Sequence, residues 1–173
     1  HLVAQNIEKI EERAKHLVVI GRLLLELGYI ERGVTLLCKN LEHEPILWYS
    51  ILDLLVERVE RQDIQLDREM FLRTLLVEAE RQKATEALWK LVLKAAKLGY
   101  TELAVAYAQR TPVERLENLP SLLEVLSKQG YKAGVHALLP LCASDAALVQ
   151  AAAKALMQLY PERRTQIAQA LLV

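Results

Sequence analysis

Histidine and cysteine are the residue types in this chain that most readily bind metals or act as nucleophiles, and both are sparse. The sequence holds 4 His and 2 Cys. Cys38 and His43 lie close together and offer ligand types that zinc prefers. The paired spacings that make a zinc prediction strong, Cys-x-x-Cys and His-Glu-x-x-His, are absent from the sequence. We therefore predict no metal site and interpret Cys38 as a buried thiol near a solvated His43.

His136 and Cys142 are the residue types that form a nucleophilic Cys–His pair. An active thiol needs cationic neighbours that lower its pKa, and Cys142 lies in the apolar segment LPLCASDA without them. Neighbouring acids such as Glu11 and Glu12 fall on exposed helical sequence, whereas general acid–base catalysis needs a closed pocket. Phosphate-loop, GxGxxG and GxSxG motifs are also missing from the sequence. We predict that the chain is not an enzyme and binds no cofactor.

The charge-dense segment 56–83 is the strongest candidate for a binding function. Its basic residues are mainly arginines, which suit planar, bidentate contacts with carboxylates. This composition predicts a polar concave groove that holds an acidic peptide or a C-terminus, with nearby aromatic residues as anchors. The predicted partner-binding residues are Arg58, Arg61, Arg68, Arg73, Trp48, Tyr49 and Trp89. Two alternatives stay open: the arginines form a solvated face with internal salt bridges, and the aromatic side chains pack in the core.

Composition limits the classes of function. The 22 Lys and Arg balance 22 Asp and Glu, and a neutral chain disfavours nucleic acid as the partner. Charges interrupt each apolar run before the roughly 20 residues that a membrane-spanning helix needs, so we predict no membrane insertion. Two cysteines in apolar sequence favour free thiols and a cytoplasmic location. Since the chain starts without Met or a signal peptide, we expect it to be excised from a longer protein.

Apolar residues recur at helical spacing along almost the whole chain. From Val3 to Gly28 they alternate steps of four and three, which keeps them on one face of a helix. The sequence LGYIERGVTLL at 27–37 returns as LGYTELAVAYA at 98–108 and as QGYKAGVHALL at 129–139. Each glycine predicts the end of one helix, and the run after each tyrosine predicts a second. The intervals suggest helix pairs with a period of roughly 34 residues. Near the C-terminus, Ser144 is the predicted cap of another helix.

The first of these units has a recognisable spacing. It contains, without gaps, Leu17, Ile20, Gly21, Leu24, Gly33, Leu37 and Pro45. This spacing resembles a tetratricopeptide repeat, in which the places of Leu17, Leu24 and Leu37 are aromatic. Later units keep only Gly-Tyr and a small residue after it, Ala104 or Gly134.

The C-terminal segment SDAALVQAAAKALMQL has a second recognisable pattern. It is carried by Asp145, Val149, Ala152, Ala153, Ala155 and Leu156. This segment is similar to the second helix of a HEAT-type repeat, although Gln150 stands where that family often has Arg. Both resemblances imply a scaffold that binds protein segments on its concave face.

These observations predict an all-α chain in which residues 1–173 form a single helical-repeat domain. Its architecture would be a right-handed stack of antiparallel helix pairs, an α-solenoid, because a lone pair cannot bury its own apolar face. A compact, non-repetitive bundle is the alternative fold. The predicted function is a protein–protein interaction module that binds an acidic protein or peptide, with self-association through exposed solenoid ends. The alternatives are an RNA-binding helical-repeat module and a HEAT-like lyase or small-ligand-binding domain.

Overall fold

The computed structural model describes residues 2–39 and 68–172. Every regular element within these residues is helical and none is a strand, so the all-α prediction is confirmed there. The α-helices are α1 (Leu2–Glu26), α2 (Ile30–Lys39), α3 (Arg68–Arg81), α4 (Thr85–Lys97), α5 (Thr101–Arg110), α6 (Leu119–Lys128), α7 (Lys132–Leu138), α8 (Ala146–Leu159) and α9 (Arg164–Ala170). Three short 3-10 helices cover Val113–Arg115, Leu139–Ser144 and Pro161–Arg163. The chain folds into two compact units, His1–Ala87 and Leu88–Val173.

The three Gly-Tyr dipeptides end helices with the same hydrogen-bonded turn. The glycines have positive φ angles, 83° at Gly28, 92° at Gly99 and 71° at Gly130. A residue without Cβ adopts this left-handed conformation at little cost. In the first turn the N–H of Gly28 donates to the oxygen of Leu25, and the N–H of Tyr29 donates to that of Leu24. The other two turns repeat both bonds, and a second helix follows each one as the sequence predicts.

Lys83 forms the same turn without a glycine. Its φ angle is 54°, and its N–H donates to the oxygen of Glu80. The N–H of Ala84 donates to the oxygen of Ala79, as the tyrosine N–H does in the other turns. A side chain in this conformation costs about 1–2 kcal/mol. The sequence pattern, which relied on glycine, did not predict this turn.

In the first unit α1 and α2 form a close helical hairpin. Gly21 faces Leu37 and Gly33 faces Leu25 across the turn. A Cβ added at Gly21 would overlap the Leu37 side chain, so the missing side chain is what permits this approach. Leu25 and Leu37 are buried at the crossing. The small residues of the tetratricopeptide-like spacing therefore lie where the two helices touch.

The α3 helix packs against α2 in the same unit. It buries one face, which consists of Phe71, Leu72, Leu75, Leu76 and Ala79. These buried residues recur at three- and four-residue steps, as expected for an amphipathic helix.

In the second unit α6 packs against both α7 and α8, and α5 packs against α7. The buried side of α6 carries Leu119, Leu122, Leu123 and Leu126, none with any exposed surface. Each buried leucine contributes about 1.5–3 kcal/mol relative to an exposed one. Ala152, Ala153 and Ala155 of α8 are also buried, which gives the paired alanines of the HEAT-like segment a packing role.

The start of α8 corrects one sequence prediction. Asp145 is the residue that caps this helix, because its Oδ1 accepts a 3.0 Å hydrogen bond from the N–H of Leu148. The hydroxyl of Ser144 donates instead to the oxygen of Leu141. The predicted cap at Ser144 is therefore wrong by one residue. The cap fixes the start of a helix that forms one wall of the groove described below.

Candidate functional site

Four of the predicted partner-binding residues, Trp48, Tyr49, Arg58 and Arg61, lie outside the described residues. Arg68 is half-buried at the start of α3, and Arg73 is exposed one turn later on the same helix. These two arginines belong to the first unit, whereas Trp89 belongs to the second.

The arginines of α3 contact acids of their own helix. Arg73 Nη2 lies 2.7 Å from Glu69 Oε1, with more than half of the arginine side chain exposed. Arg81 contacts Glu78 Oε2 through both Nε and Nη2. Such exposed pairs contribute only about 0.3–0.5 kcal/mol, so a partner carboxylate can replace the glutamate at small cost. These two contacts are the internal salt bridges that the sequence left open as an alternative. A binding role for Arg68 and Arg73 stays a prediction.

Trp89 lies in the core and not on a groove surface. Its side chain is 1% exposed, and its indole N–H is already engaged by the main-chain oxygen of Arg115. A partner cannot reach this ring in that conformation. Core packing, the alternative left open for the aromatic residues, accounts for Trp89.

A groove of about 490 Å³ runs between α6 and α8. We call it the α6–α8 groove. Its lining is formed by Pro120, Ser121, Glu124, Ser127, Lys128, Ala147, Gln150, Ala151, Lys154, Ala155 and Gln158. The side chains on α8 form two rows with four-residue steps, one of alanines and one of Gln150, Lys154 and Gln158. Residues four apart lie on the same face of a helix, so each row runs along the groove.

One ion pair occupies the α6 side of this groove. Lys128 Nζ lies 2.7 Å from Glu124 Oε1, and both side chains are about two-thirds exposed. The hydrogen bond and charge of Lys128, together with the charge of Lys154, hold the pKa of Glu124 below its ordinary value. Glu124 therefore stays ionised and keeps Lys128 partnered. Since the lining carries two lysines and one glutamate, its net charge is positive.

Four polar side chains of the groove have hydrogen-bonding capacity that the described residues leave unused. Within the described part of the chain, no hydrogen bond or ion pair is found for Ser121, Gln150, Lys154 or Gln158. The two glutamines each offer an acceptor oxygen and two N–H donors, and Lys154 offers three N–H donors. Ala155 is only 3% exposed, so the groove combines the small side chains of Ala147 and Ala151 with donors and acceptors that can bind a polar ligand.

The residues considered for catalysis have other contacts. Cys142 is 3% exposed, its Sγ donates to the oxygen of Leu138, and burial raises the pKa of its thiol. A nucleophilic thiol requires the opposite shift. The ring Nε2 of His136 lies 2.9 Å from the hydroxyl oxygen of Tyr160. Among residues 2–39 and 68–172, no cluster of three or more His, Cys, Asp or Glu side chains is placed to hold a metal ion. His43 lies outside those ranges.

Exposed aliphatic side chains lie on α1 and just after its end. They are Leu2, Val3, Val19, Ile20, Leu23 and Leu27, which are 47–77% exposed. Near the other end of the chain Leu172 is 88% exposed. These surfaces are compatible with the predicted self-association, which stays a prediction.

The α6–α8 groove was not predicted from the sequence. The sequence pattern predicts a repeat signature and close helix packing for the alanines of α8, and it marks Gln150 as a departure from the HEAT pattern. The available signal is a pair of rows, each of three residues at four-residue steps: Ala147, Ala151 and Ala155 beside Gln150, Lys154 and Gln158. The sequence could not indicate that α6 leaves space beside these rows.

Comparison with protein-family models, curated proteins and solved structures found no match for this chain. Within the described ranges, none of the helices combines the length and apolar character needed to cross a membrane.

Proposed function

We propose that this chain is a protein–protein interaction module in which the α6–α8 groove binds a segment of a partner protein. The observation that carries the proposal is a set of four groove side chains, Ser121, Gln150, Lys154 and Gln158, that form no hydrogen bond or close ion pair within the described residues. Exposed donors and acceptors beside an alanine surface suit a polypeptide, which has polar groups along its whole main chain. The groove is open along two helices, which suits a linear segment.

The proposed architecture is a right-handed α-solenoid of stacked antiparallel helix pairs. The α1–α2 hairpin and the turn that recurs at Gly28, Gly99 and Gly130 support it. Stacked pairs present long grooves between equivalent helices, and such surfaces are where helical-repeat proteins bind their partners. Arg58, Arg61, Arg68 and Arg73 are proposed as a further contact for an acidic partner.

The experiment that tests the function compares the native chain with a variant whose groove is filled. Ala151→Trp places a large ring between α6 and α8, and Ala147→Trp does so at a more exposed position of the same row. The matched control is Ala106→Trp, which changes an exposed alanine of α5 that does not line the groove. Each tagged variant, checked by circular dichroism for native helicity, is used to capture proteins from lysate of the source cells.

We expect one or more proteins to bind the native chain and the Ala106→Trp control, and to be lost from both groove variants. Direct binding of the purified partner then gives the affinity. Equal capture by all four folded chains would overturn the groove as the binding site. Capture that nuclease treatment removes would overturn the protein-binding function in favour of RNA.

A further inference from the structure

The row Gln150, Lys154 and Gln158 indicates what kind of segment the groove binds. Residues four apart on a helix are separated by about 6 Å along its axis. Two residues of an extended polypeptide advance by about 6.5 Å. Successive side chains of the row therefore meet every second residue of an extended segment that runs along α8.

The chemistry of the two glutamines favours an extended segment over a helix. A side-chain amide can accept from a main-chain N–H and donate to a main-chain oxygen. An extended segment outside a sheet has these groups unpaired, whereas a helix satisfies nearly all of them internally. The neighbouring alanines project only a methyl group, so a main chain can approach α8 closely enough for such bonds.

Lys154 adds a preference for charge. The glutamate of the groove already has a cationic partner, because Lys128 lies 2.7 Å from Glu124. Lys154 forms no close ion pair within the described residues, although its charge also attracts Glu124, and it lies between the two glutamines of its row. A carboxylate on the bound segment would compensate this charge.

We propose that the α6–α8 groove binds an extended, acidic peptide segment. Gln150 and Gln158 pair with its main-chain amides, and Lys154 pairs with an Asp or Glu side chain. This inference rests on the proposed function, since it names the class of partner that the same groove takes. The specificity that follows is limited: the main chain is held irrespective of sequence, and only the acidic position is selected.

Random decapeptides displayed on phage are the probes that test it. Clones are selected on the native chain and counter-selected on Ala151→Trp and Ala147→Trp, so that only peptides dependent on the groove remain. Their affinities are then measured with labelled synthetic peptides. We expect an Asp or Glu at one fixed position. Lys154→Glu should weaken binding about three- to fivefold, because it replaces an attraction by a repulsion of similar size. Lys154→Arg and the matched surface control Lys97→Glu should leave affinity nearly unchanged.

The main-chain contacts have their own test. Replacing one amide of the peptide by an ester removes a single N–H donor, which should weaken binding to the native chain about three- to tenfold. Either Gln150→Ala or Gln158→Ala removes the glutamine oxygen that accepts from this N–H. In that variant the ester should change the affinity of the peptide little. Nuclear magnetic resonance of the bound peptide should show an extended conformation.

Different results would overturn the class of the bound peptide and the groove as a binding site. Selected peptides that bind as helices, or that bind Lys154→Glu as tightly as the native chain, overturn the acidic, extended class and leave the groove as a binding site. If every selected peptide still binds Ala151→Trp or Ala147→Trp, or if no peptide is selected, the proposed function is overturned as well.

Discussion

The indole Nε1 of Trp89 donates a 2.8 Å hydrogen bond to the main-chain oxygen of Arg115, 26 residues further along the chain. The bond joins α4 to the 3-10 helix that follows α5. The Trp89 ring is 1% exposed, and the 3-10 helix Val113–Arg115 has no buried residue of its own. The hydrogen bond therefore holds this 3-10 helix against the core. Trp89 is thus a structural residue of the second unit.

Trp89→Phe should destabilise the chain. Phenylalanine keeps most of the buried ring surface but cannot donate to Arg115, so we expect a loss of about 1–2 kcal/mol in the free energy of unfolding. Trp89→Ala should cost about 3–5 kcal/mol because it also leaves a cavity. Urea unfolding followed by circular dichroism measures both. Val113→Ala, at a 58% exposed residue of the same 3-10 helix, is the control and should change stability little. A native midpoint for Trp89→Phe would show that the bond contributes nothing.

Lys83→Gly should stabilise the chain. Removing the side chain relieves about 1–2 kcal/mol of strain at a φ of 54°. Glycine also gives the unfolded chain more freedom, which costs about 0.5–1 kcal/mol. The relief is the larger effect, so we expect a net gain of about 0.5–1 kcal/mol in urea unfolding. Gly99→Ala should have the opposite sign, because a Cβ introduces strain at its φ of 92°.

The control for Lys83→Gly is Lys97→Gly, which introduces glycine into the last turn of α4 where φ is helical. That variant should lose about 1 kcal/mol. If Lys83→Gly and Lys97→Gly destabilise the chain equally, the left-handed turn at Lys83 does not exist in solution.

Gly21→Ala should destabilise the α1–α2 hairpin, because the new methyl group overlaps the side chain of Leu37. Overpacking of this kind costs about 1–3 kcal/mol. Leu37→Ala alone should cost about 2–5 kcal/mol through the cavity that it leaves. In the double variant the methyl group occupies part of that cavity, so the combined loss should be smaller than the sum by at least about 1 kcal/mol. Thermal unfolding of the four chains gives this coupling.

An exposed residue of α2 provides the control for the double variant of Gly21 and Leu37. Gly21→Ala combined with Thr35→Ala should give additive losses, because Thr35 lies on the solvent side of the helix. Additive losses for Gly21 and Leu37 as well would contradict the close approach of the two helices.

The sequence predicted those parts of the fold that depend on local chemistry. Glycine at positive φ and apolar residues at helical spacing are read directly from the chain, and the turns at Gly28, Gly99 and Gly130 follow from them. The turn at Lys83 was not predictable from the sequence, because a lysine does not favour the left-handed conformation that this turn requires. The groove escaped because its shape depends on how far apart α6 and α8 pack, and no local pattern encodes that distance. Trp89 shows the same limit, since spacing alone does not distinguish a buried ring from an exposed anchor.

Cys142 should make stability fall at alkaline pH. Burial raises the pKa of its thiol in the folded chain, whereas the unfolded thiol ionises near pH 8.5. Below pH 8.5 the thiol is protonated in both the folded and the unfolded chain, so Cys142 makes its full contribution to the free energy of unfolding. As pH rises above 8.5 the unfolded state loses its proton first, so stability falls until the folded thiol ionises in turn. The slope for one proton is about 1.4 kcal/mol per pH unit.

Urea unfolding of the native chain and of Cys142→Ala, measured between about pH 7 and pH 10, isolates this effect. Lysines and tyrosines also titrate in that range, but both chains share them and both retain Cys38. The difference in unfolding free energy between the two chains should therefore stay constant up to about pH 8.5 and then shrink. Because the thiolate is the reactive form, alkylation of Cys142 in the native chain at pH 8 should also be slower than in urea, with each cysteine followed by peptide mass spectrometry. A pH-independent difference, together with rapid native alkylation, would place the Cys142 thiol in contact with solvent.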